Sequence, residues 1–188
     1  MAASSNRTNT KTALAPSPLE VLTDVERSVV LTELVGADPV VSAAANDVAL
    51  RHLASATIDG VAAEVSAMLL STELDELGAR TGKIRDRGYV HETDAAWELV
   101  EEAFEPFLHD MRRRAMLGLL DAASVVAIGM VAGLYRFRDP EEGSVLGYAG
   151  PDCPEELANT VLDEAHDLGV NLPADAAARH WQNWSDQT

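Results

Sequence analysis

The segment GARTGKIRDRGYV brings Arg80, Lys83, Arg85 and Arg87 close together in a chain otherwise poor in cations. Such a cluster can hold an anion. Its opening, GARTGK, invites comparison with a phosphate-binding loop, whose backbone amides and lysine cradle phosphates. The spacing from Gly78 to Gly82 is one residue short, Ile84 stands where a Ser or Thr is required, and no strand is predicted ahead of it. Nucleotide binding is set aside on those grounds. An anionic ligand or an acidic partner remains on the functional side. Pairing with the chain's own acidic helices, or plain solvation of a loop, remains on the structural side.

Glu98, Glu101, Glu102, Glu105 and His109 lie on one predicted helix, with Glu105 and His109 a turn apart. A di-metal bundle site takes ExxH pairs from two helices together with inward carboxylates. No ExxH occurs in this sequence, and these acids lie opposite the Trp97 and Phe104 face, so a solvated surface is expected and no metal or cofactor. His52 and His166 are equally isolated and read as surface or helix-end residues. Cys153 sits between Asp152 and Pro154 at a predicted helix start, where the helix dipole would lower a thiol's pKa. The nearest candidate base, His166, lies several turns along the same helix and cannot reach it, so no catalytic residue is assigned. HWQNW puts Trp181 and Trp184 on one face, either an anchor onto the core or a surface that captures a partner. Gly129 and Gly133 form a GxxxG that lets another helix approach closely. Packing within the chain is the expected use, and a homodimer face is the alternative.

Charge narrows the partners. Acidic residues number 31 against 14 basic ones, a formal charge of -17, and such a field repels phosphate backbones and anionic lipid heads. Nucleic acid and membrane surfaces are therefore disfavoured. The acidic excess suggests a host that keeps high internal salt, where screening relieves self-repulsion; an ordinary acidic protein is the alternative. The lone Cys153 cannot form an internal disulfide, so a reducing compartment, the cytoplasm, is the expectation. With 188 residues, 47% of them hydrophobic, the chain suits one folded domain.

The elements that would position these residues are helices. Residues 1–16, rich in Ser, Thr, Asn and Ala, read as a flexible tail without a secretory core, and a single helical domain is expected over 17–188. Ser17, Pro18 and Glu20 have the spacing of a capping box, so a first helix is predicted from there to Gly36. Asp38 and Pro39 start a second, ending near Ala54. A third is predicted over 58–77, stopping at Gly78, and GARTGKIRDRGYV is the principal loop. A fourth begins near Thr93, with Asp94 at its positive end and Arg112, Arg113 and Arg114 at its negative end. Pro106 inside it predicts a kink or a break. VLGYAG reads as a short strand or extended loop, a helix runs from Asp152 to Gly169, and a last one covers 174–184. The sum is an all-α bundle of about seven helices in antiparallel hairpins, with little or no strand.

Arg112 to Arg138 encloses an apolar run that reaches membrane length only if read through Asp121. Gly118 and Asp121 read better as a turn, leaving residues 122–135, which as a helix reach about 21 Å, short of a hydrocarbon core of about 30 Å. Apolar on every side, that helix is expected at the centre of a soluble bundle. AWELVEEAFEPFL and LGLLDAA, within residues 93–138, resemble the α-helical hairpins that α-solenoid proteins stack, and helical modules of uncharacterised prokaryotic proteins, some joined to a SWIM zinc finger. The tetratricopeptide pattern is not met, since Glu101 and Arg113 fall where it needs small residues, and one cysteine cannot make that finger. The resemblance implies an interaction module rather than a catalytic one.

The expected function is a non-enzymatic, scaffold or regulatory protein that binds another protein, or itself, through helical surfaces. The alternative is a small-molecule-binding enzyme or sensor with a pocket between helices near the basic loop 80–87. A DNA-binding regulator, from the faint helix-turn-helix outline of residues 50–68, comes third because its charge is wrong for DNA.

Overall fold

The computed structural model describes residues 17–84 and 88–181. The expected tail 1–16, Arg85, Arg87 and Trp184 lie outside them. The chain is all-α apart from one two-stranded ribbon among the described residues. It divides into two compact units, residues 1–49 and 50–188.

In the first unit, the carboxylate of Glu20 accepts from the Ser17 N–H at 2.9 Å, but the box closes only a 3-10 turn, Pro18–Glu20. The helix proper, α1 (Asp24–Ala37), starts later from a second box, in which Thr23 caps Glu26 N–H and Glu26 caps Thr23 N–H. Two capping boxes, Ser17–Glu20 and Thr23–Glu26, offer alternative helix starts, and the 14-residue helix follows the second. α2 (Pro39–Leu53) begins where expected, with Asp38 Oδ1 accepting from Val40 N–H at 2.8 Å.

The second unit is built around two long helices, α5 (Glu92–Met116) and α6 (Leu120–Tyr135). α5 is not interrupted by Pro106, although that residue supplies no N–H to the ladder. Its inner face, including Val100, Phe104, Leu108 and Met111, is buried. Gly118, at φ +75°, makes the turn into α6. Asp121 lies inside the first turn of α6 instead of capping it; Leu119 occupies the cap. α6 has buried residues in every turn and contacts α3, α5, α8 and α9, which makes it the central helix. No single helix among the described residues is long and apolar enough to cross a membrane.

Three further expectations are corrected. The helix predicted over 58–77 breaks into α3 (Ile58–Ser71) and α4 (Leu74–Arg80). Ser71 and Thr72 both turn their hydroxyls back onto the Met68 carbonyl, at 2.9 and 3.1 Å, and the backbone of Thr72 and Glu73 is extended, outside the helical region. The principal loop contains a ribbon, β1 (Gly82–Ile84) and β2 (Gly88–Val90), with Lys83 opposite Tyr89. Gly82 and Gly88, at φ +89° and +81°, take left-handed backbone at its two ends. VLGYAG is a short helix, α7 (Val145–Ala149), because Ser144 Oγ accepts from Gly147 N–H at 2.9 Å and caps it. The split and α7 raise the helix number above seven. α8 (Cys153–Asp167) ends in a Schellman motif, with Val170 N–H on the Ala165 carbonyl, and α9 (Ala176–His180) follows.

Candidate functional site

The basic segment is not assembled as an anion site among the described residues. Arg80, at the end of α4, points to α5 and pairs with Glu102 at 2.8 Å. That hydrogen bond raises the guanidinium's pKa further, against a smaller opposing effect of burial. Lys83 is exposed on β1. Beside Arg80 an open depression of about 320 Å³ lies between α3, α4 and α5, with Met68 and Leu99 beneath it and Glu73 and Glu76 at its edge. A pocket near the basic loop therefore exists, but carboxylates outnumber its one guanidinium.

The arginines ending α5 are also committed. Arg112 bridges Glu105 on its own helix and Glu164 on α8, at 2.5 Å each. Arg113 and Arg114 share the carboxylate of Asp110. Burial works to raise the Asp110 pKa, and the two guanidinium groups outweigh it and hold the carboxyl below its ordinary range.

Gly129 and Gly133 face α3 within the same chain. A Cβ at Gly129 would stand 2.6 Å from Val61 Cβ, and one at Gly133 would stand 2.7 Å from Val65 Cβ. Trp181 is half-buried and packs against the core cluster, with its ring 6.5 Å from that of His180. Cys153 is wholly buried. Burial, with lesser help from Glu101 and Glu156, pushes its thiol up to about 12, the reverse of what the helix start alone suggests. Desolvation of a thiolate outweighs the attraction of a helix N-terminus here. Among the described residues no three His, Cys, Asp or Glu side chains converge as metal ligands.

Two features stand out that charge-led reading of the sequence passed over. α1 and α2 bury no residue, and Val25, Val29, Leu31, Leu34, Val40 and Val48 are each at least half exposed. Their apolar side chains are spread around the helices instead of forming one stripe. At the α5–α6 corner, Met116 is 83% exposed beside exposed Leu117 and Leu120. The signal for the first was available, since apolar residues on several sides of a helix call for burial on several sides. Comparison with protein-family models, curated proteins and solved structures returns no match.

Proposed function

We propose that this protein is a non-enzymatic interaction protein whose first two helices are covered by another protein. The observation that carries the reading is that α1 and α2 bury none of their residues while exposing large aliphatic side chains on several sides. Leaving a Val or Leu side chain in water instead of burying it forgoes about 1.5–3 kcal/mol, so covering several offers a substantial driving force. Glu20, Asp24, Glu26, Glu33, Asp38 and Asp47 interleave with the aliphatics. A partner with an apolar surface and a basic rim suits that mixture better than a second copy, whose acids would repel. Cytoplasmic location and a host with high internal salt are part of the proposal and rest on the single cysteine and the charge of -17.

The test uses the full chain and a Val25→Glu, Val29→Glu, Leu34→Glu variant, all at exposed positions. Capture from the native host at its internal salt should retain a protein on the parent chain and lose it on the variant, with unchanged thermal unfolding. Identical captured proteins on both chains would refute the reading. Sedimentation of the purified parent separates self-association from a foreign partner.

A further inference from the structure

We propose that a second cavity, formed by the end of α3, the start of α4 and residues 136–146, binds a small organic cation with an apolar body. The cavity measures about 600 Å³, within the range of about 300–1,000 Å³ typical of small-molecule sites. Its apolar lining is substantial. Leu69, Val145 and Leu146 are buried core residues that present a side to it, Phe137 packs on the same core, and Leu74, about half exposed, also lines it. The wall facing α7 is fixed by close packing: a Cβ at Gly147 would stand 2.4 Å from the Glu141 carbonyl oxygen. Ser144 accepts from Gly147 N–H and donates to the Glu141 carbonyl, so the segment that brings Glu141 to the cavity is tied to the helix behind it.

The charged lining selects the ligand's sign. Glu73, Asp75, Asp139 and Glu141 face one cation, Arg136. Asp139 is paired with Arg138 at 3.6 Å, and Arg136 reaches toward Ser66 Oγ at 3.4 Å. Glu73, Asp75 and Glu141 make no ion pair among the described residues. An anion would meet four carboxylates against the single guanidinium of Arg136, and a neutral apolar molecule would desolvate them without return. A cation whose hydrocarbon portion lies on the aliphatic floor satisfies both halves of the lining, and the Phe137 ring adds an aromatic surface that attracts an ammonium. A bare metal ion or a polyamine would leave the apolar half unused. The cavity lies wholly in residues 50–188, so it stands independently of the reading of α1 and α2.

Titration calorimetry of the full chain with hexyltrimethylammonium, and with hexanoate as the anion of equal chain length, tests the proposal. The cation should saturate at one equivalent and hexanoate should give no binding. Replacing Glu73→Gln, Asp75→Asn and Glu141→Gln together should weaken the cation about tenfold by removing nearby opposite charge. Leu74→Trp, which adds bulk to the lining and leaves the charges in place, should weaken it at least as much. A control triple at exposed positions elsewhere, Glu33→Gln, Asp47→Asn and Glu64→Gln, should change it less than twofold. Cation binding that fails to saturate at one equivalent, hexanoate binding of equal strength, or an equal loss in the control triple would overturn the proposal.

Discussion

Alanine at Gly129 or Gly133 should destabilise the protein, whereas alanine at Gly78 should stabilise it. At Gly78, inside α4, an added Cβ meets nothing within 4 Å and the backbone is not left-handed. The substitution therefore gains helix propensity of about 0.5–1 kcal/mol. At Gly129 the added Cβ would lie 2.6 Å from Val61 Cβ, 2.9 Å from its Cγ1 and 3.0 Å from the Ile58 carbonyl oxygen. Ordinary carbon contacts need about 3.5–4.0 Å, so the gap must open by about 1 Å. Val61 Cβ and the Ile58 carbonyl are fixed to the backbone of α3, so no rotamer change provides that space and α3 itself must shift. Gly133 presents the same problem one turn on, with Val65 Cβ at 2.7 Å and the Ala62 carbonyl oxygen at 3.0 Å. Overpacking of this kind costs about 1–3 kcal/mol, and after the propensity gain a net loss of about 1–2 kcal/mol remains. At roughly 2–4 °C per kcal/mol for a chain of this size, each variant should melt about 2–8 °C lower. One displacement of α3 would accommodate both methyl groups, so the double variant should lose less than the sum of the singles. Urea unfolding followed by circular dichroism measures all four proteins. Gly129→Ala and Gly133→Ala proteins as stable as the parent, or a Gly78→Ala protein destabilised to the same degree, would refute the reasoning. A change in sedimenting mass with stability unchanged would instead make these glycines a face between copies.

The Cys153 thiol, pushed from 9.0 to about 12, keeps its proton in the folded state where the unfolded chain releases it, so stability should fall as pH rises above 9.0. The loss should reach about 1 kcal/mol near pH 10, and a Cys153→Ala protein should lack this component of the pH slope in urea unfolding. Asp110, held below its ordinary range, contributes in the opposite direction: its stabilisation is present at neutral pH and is lost as pH falls through the acid range, so Asp110→Asn should flatten the acid limb of the stability profile. Trp181→Ala should cost about 2 kcal/mol in thermal or urea unfolding, because the half-buried ring covers the core cluster; an unchanged midpoint would show that it covers nothing essential. Raising KCl from low to molar concentration should raise the unfolding midpoint of a chain with a charge of -17, and a flat response would remove the high-salt expectation.

Some helix ends were legible from one short signal, although Asp121, read alone as a cap, lies inside α6. Asp38 with Pro39 set the start of α2, and Gly169 set the end of α8, because caps and left-handed stops involve only neighbouring residues. Reading failed where two local signals competed. Ser17 and Thr23 each carry a carboxylate three residues on, and only the structure shows which one begins α1. Ser71 and Thr72 look like ordinary helix interior until both hydroxyls are seen on one carbonyl. VLGYAG alternates enough to suggest a strand, yet its capping serine and the close approach at Gly147 make it helical.

The candidate site was less legible, and the reason lies in the charge balance. A cation cluster catches the eye in an acidic sequence, but the same excess of acids means that many cations have a carboxylate within reach. Arg27 pairs with Asp24, Arg80 with Glu102, Arg112 with Glu105 and Glu164, Arg114 with Asp110, and Arg179 with Asp175. Most of these are exposed pairs on or between helices, worth little individually and weakened by salt. Their consequence is that the guanidinium groups engaged in them are poor candidates for an outside anion. Aliphatic side chains have no such local remedy. A valine satisfies itself only by burial, which depends on residues distant in sequence, so Val25, Val29 and Val40 look like core until their exposure is known. In a chain with this composition, recognition is better sought in uncovered aliphatic surface and in carboxylates without partners. The unpaired carboxylates follow from the charge balance, 31 acids against 14 bases, and the aliphatic surface from α1 and α2, among whose residues none is buried.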